Sequence, residues 1–523
     1  MFKKVIALFL AASMTVACLA ACGETADPTK GSEKETESAK PTEGEDGEDA
    51  TEGASGEVTN VVVYRTLYNR NAVDSDAVKN VENKINEYLA SKGATCSVTI
   101  KEVHNSEYSD KANLALANGE MNILWTAHWW GTIGTNDIWR QNGAADITEL
   151  VQGTPLWGSM PEGIWEAAKY AGRIYFIPVY KEAYEGYDIK TTKALADEFG
   201  WNFDDVLAKD NIYDRLVALE PYLQDCVDKG LKYPWATSQF FYRWYLDYFD
   251  IFNSDSLIGV DRATNEIVTP IKTDLYAEYC KLQGEWYKKG FISEDVFSNS
   301  VPSGMNLTQD WGFQFWTCVP GGELANSESR DQQAEVIVEG FTNKYIRKTT
   351  GSCFTITASS SEAEVKAAIE FLGYLYTDEY VATLYTYGIE GVDYDLDANG
   401  RVVLNTDALY SHSPWESAPF TVLPLLDSEP EDKIQDYLDK NNAAAVSCAA
   451  GFQMDLSDPE LNAIYVACSA LNEEYGKLLE LGYWSGDEVD AKIAEYITAL
   501  EAAGYNTFFD AIYQQYEDWK ASK

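Results

Sequence analysis

VTNVVVYRTL (58–67) is β-branched, apolar and followed by turn-forming residues, and it reads as a strand. Just beyond it Val78, Val81, Ile85, Tyr88 and Leu89 recur at helical spacing, with Asp74 or Ser75 able to cap the first turn. CSVTI (96–100) reads as a second strand, residues 108–117 as a helix stopped by Asn118-Gly119, and NILWT (122–126) as a third strand. Strand, helix, strand, helix, strand is the order of a mostly parallel sheet covered by helices, an α/β arrangement. In open sheets of this kind ligands bind beyond the carboxyl ends of the strands. His128, Trp129 and Trp130 follow the third strand directly. Two adjacent indoles in a loop at that edge read as a platform for a ligand, with core packing as the alternative.

The chain has 523 residues, more than one hydrophobic core usually supports, so at least two lobes are expected. Lys and Arg number 40 against 84 Asp and Glu, a net charge of -44. Such a surface repels phosphate backbones, which argues against nucleic acid, and it disfavours a polyanionic ligand unless a basic pocket overrides it. Nine cysteines are scattered without a C-x-x-C pair, and the three histidines, His104, His128 and His412, lack metal-ligand spacing. Neither a cofactor nor a structural metal is therefore expected. DLDANG (395–400) imitates the start of a calcium loop, but its twelfth position is Thr406 rather than Glu. Asn399-Gly400 reads better as a hairpin turn. No P-loop, dinucleotide-binding or nucleophile-elbow motif is present.

At the start, Lys3 and Lys4 precede an apolar run over 5–19, and then comes LAACG (19–23). The pattern resembles a bacterial lipoprotein signal. It implies cleavage after residue 21, lipid on Cys22 and anchorage to the outer face of the membrane. An ordinary cleaved signal peptide is the alternative. Residues 23–57 carry 12 acids and 3 bases with no aromatic ring, the composition of a flexible tether.

GAADITELV (143–151), GIWEAAKYAGRIYFIPVYKEAYEGYDI (163–189) and AIEFLGYLYTDEYVATLYTYGIEGVDY (368–394) together resemble the extracellular solute-binding proteins that feed ABC importers. The resemblance is to the sugar-type lipoproteins of Gram-positive bacteria. It implies a type II periplasmic-binding-protein fold, two α/β lobes joined by a hinge with the ligand cleft between them. Residues 58–178 with 348–410 would form the first lobe, and 179–347 with 411–523 the second. It also implies a monomer that passes an oligosaccharide to permease subunits and carries no catalytic residue. Tyr180 and Glu182 fall at the crossing between lobes, at the cleft floor. Trp235 and Trp316 fall where related proteins carry sugar-stacking rings, with core packing the alternative for both. SPWE (413–416) resembles a Pro-Trp segment of the family but continues as Ser417-Ala418-Pro419, which weakens any ligand role for Trp415. A peptide-binding lipoprotein and a surface-anchored polysaccharide hydrolase are the rival readings.

Overall fold

In the computed structural model, residues 58–236, 241–252, 255–297, 310–317 and 335–522 are described. Cys22, the tether and Cys318 lie outside them. β1 (Thr59–Leu67), α1 (Ser75–Ser91), β2 (Cys96–His104), α2 (Asn105–Asn118) and β3 (Ile123–Thr126) follow the predicted order. Asp74 caps α1, its carboxylate accepting from the Ala77 amide at 2.9 Å. Val78, Val81, Ile85 and Leu89 are the buried stripe of that helix. α2 ends on Gly119, whose φ of 67° is the left-handed cap that the missing Cβ permits.

β1 pairs in parallel with β2 on one side and β3 on the other. A later strand, Cys353–Ile356, then runs antiparallel between β3 and β4 (Phe176–Pro178). β2 is the sheet edge, and α1 satisfies part of it. Asn86 both donates to the Val98 carbonyl and accepts from its amide, at 2.8 Å each, and Glu82 accepts from the Ile100 amide at 2.9 Å.

A second sheet holds, in order, Glu335–Val338, β5 (Tyr187–Thr192), Trp311–Thr317 and β6 (Tyr233–Ala236). Two hydrophobic cores form around the two sheets. The first also takes Ala418, Phe420, Leu423 and Tyr437. The chain thus returns to the second core after these residues, later than the sequence division at 411. The second core is completed by the helices Pro459–Leu471, Asp487–Ala502 and Tyr505–Ser522, with Leu461, Val489, Ile493, Leu500, Phe508, Ile512 and Tyr516 inward. Within it the Glu480 carboxylate accepts from the Phe241 amide at 3.3 Å and the Tyr276 hydroxyl lies 3.4 Å away. Burial pushes that carboxyl up to about 8.

Two helices differ from what the sequence suggests. Residues 190–199 read as one helix, but it begins only at Lys193, because Lys190 to Thr192 finish β5. Residues 213–227 also read as one helix, but they fall in two, Ile212–Ala218 and Glu220–Lys229, with Pro221 in the first turn of the second. Residues 394–404 form the expected hairpin, Gly400 adopting φ 77°. Cys96, Cys226, Cys280, Cys353, Cys448 and Cys468 are free thiols, five of them buried.

All described elements belong to one compact unit, and three chain segments run together between its cores. Glu185 and Tyr345 exchange backbone hydrogen bonds at 2.8 and 2.9 Å. Tyr345 and Ile346 pair in parallel with Ala445 and Val446. Asn441 accepts from the Ala183 amide at 2.8 Å and donates to the Lys181 carbonyl at 3.0 Å.

Candidate ligand-binding site

The carboxyl end of β3 delivers residues 127–130 against the segment that precedes the strand Cys353–Ile356. The His128 amide donates to the Thr350 carbonyl at 2.9 Å. The Trp129 indole N–H donates to the Gly351 carbonyl at 2.6 Å, and that of Trp125 to the Ser352 hydroxyl at 2.9 Å. Val179, at the start of the crossing, donates its amide to the Ser352 carbonyl at 2.9 Å. One short strip therefore fixes both the aromatic loop and the crossing segment.

Around that strip lies a continuous aromatic wall. Trp125 is fully buried and meets Trp130 edge-on, the centroids 5.4 Å apart. Trp130 donates to the Ser109 hydroxyl at 2.7 Å and packs on Tyr68 and Tyr108. Trp129 stands on this base with half of its surface, 51%, exposed. Trp415 lies 6.2 Å from Trp129 and 5.3 Å from Tyr68. An exposed indole with its N–H tied down and its base packed keeps one orientation, so its face is preorganised for stacking.

Trp415 is thus a wall residue that sequence reasoning set aside. Its loop is anchored from behind by buried charges. His412 pairs through Nε2 with Glu102, and its Nδ1 lies 3.7 Å from Glu416. Arg70 bonds Glu102 at 2.7 Å, and Arg65 donates to the Tyr385 carbonyl at 2.7 Å and the Ser417 hydroxyl at 3.0 Å. Burial alone would raise the Glu102 carboxyl, but His412, Arg65 and Arg70 outweigh it and hold it at about 2.

The remaining predicted residues divide between this strip and the cores. Lys181 and Glu182 pair with each other, both half-buried. A methyl group placed on Gly351 would lie 3.8 Å from His128 Cε1 and 4.0 Å from Lys181 Nζ, so these two side chains flank one glycine. Tyr180 is 4% exposed and packs on Phe420 at 5.1 Å, inside the first core. Trp235 is 2% exposed between Trp244 and Trp286 in the second core. Trp316 is 8% exposed, with the Lys190 ammonium 4.7 Å from its ring centroid. Among the described residues neither of these two indoles touches the Trp129 wall.

At the crossing, Arg347 pairs with Glu185 and Asp250 and donates to the Ile251 carbonyl. Burial works to raise the Glu185 carboxyl, but the Arg347 charge and the Tyr187 hydroxyl hold it at about 2. Beside Tyr242, the Arg243 guanidinium lies over the Phe315 ring at 4.3 Å. Among the described residues no three His, Cys, Asp or Glu side chains gather as metal ligands would, and no helix is long and apolar enough to cross a membrane.

No family model matches this sequence, and no curated protein does. Solved structures do match over almost the whole chain. An N-glycan transport solute-binding protein of Streptococcus pneumoniae superposes with a TM-score of 0.72 at 18% identity, covering 89% of this chain and 100% of its own. A second S. pneumoniae protein, the ABC-transporter substrate-binding protein FusA in complex with kestose, gives 0.55 at 14% identity over 89% and 100%. An extracellular solute-binding protein from Bifidobacterium longum subsp. infantis gives 0.55 at 14% over 90% and 100%. The chain has the solute-binding-protein fold that the sequence predicts.

Proposed function

We propose that a chain with this fold is the capture subunit of an ABC importer and that its ligand is an oligosaccharide. The observation that carries the reading is Trp129, an indole half in water, held by the Gly351 carbonyl beside Trp130 and Trp415 past the carboxyl end of β3. Pyranose rings present apolar C–H faces that stack on such a surface while their hydroxyls seek polar groups. Glu182, paired with Lys181 beside Gly351, supplies a hydrogen-bonding group on the same strip. The similar structures add support: one of those proteins is an N-glycan transport solute-binding protein, and another, FusA, is in complex with kestose.

In this reading the cores are two lobes, and the segments around Lys181, Arg347 and Asn441 are the hinge. A ligand touching both lobes favours the closed state by its differential affinity, and the closed monomer docks on permease subunits. The protein acts as a binder and performs no catalysis. The acidic leader of residues 22–57 tethers it through lipidated Cys22 to the outer face of the membrane.

Isothermal titration against oligosaccharide and peptide panels tests the proposal. Micromolar or tighter binding of at least one oligosaccharide is expected. Binding of peptides alone would overturn it, and so would catalytic release of sugars from a glycan. Intact-mass analysis tests the anchor, where Cys22→Ala should release an unacylated protein from the membrane.

A further inference from the structure

The strip that holds Trp129 also carries an ammonium that forms no ion pair among the described residues. The cations around it are mostly paired: Lys181 has Glu182, Arg347 has Glu185 and Asp250, and Arg262 lies 4.0 Å from Asp250. Lys348 is different. It is half-buried, its ammonium donates to the Phe252 carbonyl at 3.3 Å, and among the described residues no carboxylate pairs with it. His128, on which Lys348 acts more strongly than any other charge, supplies no negative partner. Its buried Nδ1 has no hydrogen-bond partner. Burial first, and then Lys348, push the imidazole down to about 3, so the ring is neutral at physiological pH.

A half-buried ammonium with one carbonyl contact is incompletely solvated, and its own pKa is lowered to about 8 by burial and by neighbouring Arg347, which outweigh the opposing pull of Asp250 and Glu185, both already bonded to Arg347. An anion brought to it would form a charge-assisted hydrogen bond in a medium less screening than water. The charges around it favour one such group rather than several. The molecule's net charge of -44 repels a chain of anions, and the other nearby lysine and the hinge arginine are already matched.

Resting on the oligosaccharide reading above, we propose that the ligand bears a single carboxylate on one of its sugars, which Lys348 binds beside His128 while a neighbouring ring stacks on Trp129. Lys348 then sets specificity, separating acidic glycans from their neutral counterparts. A carboxylate can come from a hexuronate or from a sialate, and the two place it at different distances from the stacked ring.

The test titrates the full-length protein in detergent with matched pairs. These are xylotriose and its glucuronate-substituted form, and lactose and its sialylated form. One acidic member is expected to bind about tenfold more tightly than its neutral partner. Lys348→Met, which keeps the apolar stem, should erase the difference, and Lys348→Arg should preserve the preference. Equal or weaker binding of both acidic members overturns the proposal and leaves the oligosaccharide reading standing. A preference that survives in folded Lys348→Met also overturns it. Failure of every glycan to bind, acidic or neutral, defeats both readings.

Discussion

An indole placed half in water is costly unless something covers it, and Trp129 is the sharpest case in this chain. Trp129→Ala should cost about 1–3 kcal/mol of oligosaccharide affinity by calorimetry and leave the melting temperature nearly unchanged. Trp125→Ala, by contrast, empties a fully buried site and should cost about 3–5 kcal/mol of stability. The adjacent pair was visible in the sequence because a loop past a strand end seldom hides two rings. Trp235 and Trp316 were harder to judge, since alternation along a strand says which residues share a face and not what covers that face. Trp415 was illegible for another reason. Its partners Tyr68 and Trp129 are hundreds of residues away, and no local pattern announces a contact of that range. Glu480 supplies a prediction with a definite sign. Its folded pKa of about 8 lies above the ordinary carboxyl value of 4.5, so the native state holds a proton that the unfolded chain releases. Stability from this group is full below pH 4.5 and is lost as pH rises through 8. Denaturation profiles of Glu480→Gln, which stays neutral, should therefore lack that loss, and the gap between variant and parent should widen from pH 4.5 to 8.

Among the elements, the helix Glu362–Thr377 shows how local chemistry can be read without the fold. Ser361 accepts from the Glu364 amide at 3.3 Å and Glu364 accepts from the Ser361 amide at 2.7 Å, the capping box that the sequence spells out. Ser361→Ala should lower stability by about 1 kcal/mol in chemical denaturation and leave ligand affinity unchanged. The cap sits beyond the end of the strand Cys353–Ile356 that is remote from Ser352 and Trp129. Element phase was less legible where two patterns overlap. Lys190 to Thr192 have side chains acceptable to a helix, but pairing with Trp311–Thr317 and Glu335–Val338 claims them for a sheet. Propensity is a weak prior against two ladders of hydrogen bonds.

At the scale of the molecule, the βαβαβ start was plain from periodicity, while the lobe boundary was not. The return of residues 418–437 to the first core depends on contacts such as Phe420 with Tyr180, which sequence order hides. In the proposed two-lobed clamp, the crossing segments are the place where closure is absorbed. Small-angle scattering should report a smaller radius of gyration on saturation with a bound oligosaccharide, and Trp129→Ala at the same ligand concentration should show less of the change. Arg347→Met, which strips the buried partner from Glu185 and Asp250, should destabilise the whole unit by about 3–5 kcal/mol, visible as a lower denaturation midpoint.

The outer margin of the first sheet has a bearing on crowding. A bare strand border is a template on which a second copy can build, and proteins concentrated on one surface meet their copies constantly. Along β2 the Asn86 amide and the Glu82 carboxylate already occupy backbone groups at Val98 and Ile100. Residues 78 to 89 of the same helix thus do two jobs, sealing oil beneath and occupying part of the border on which another strand would build.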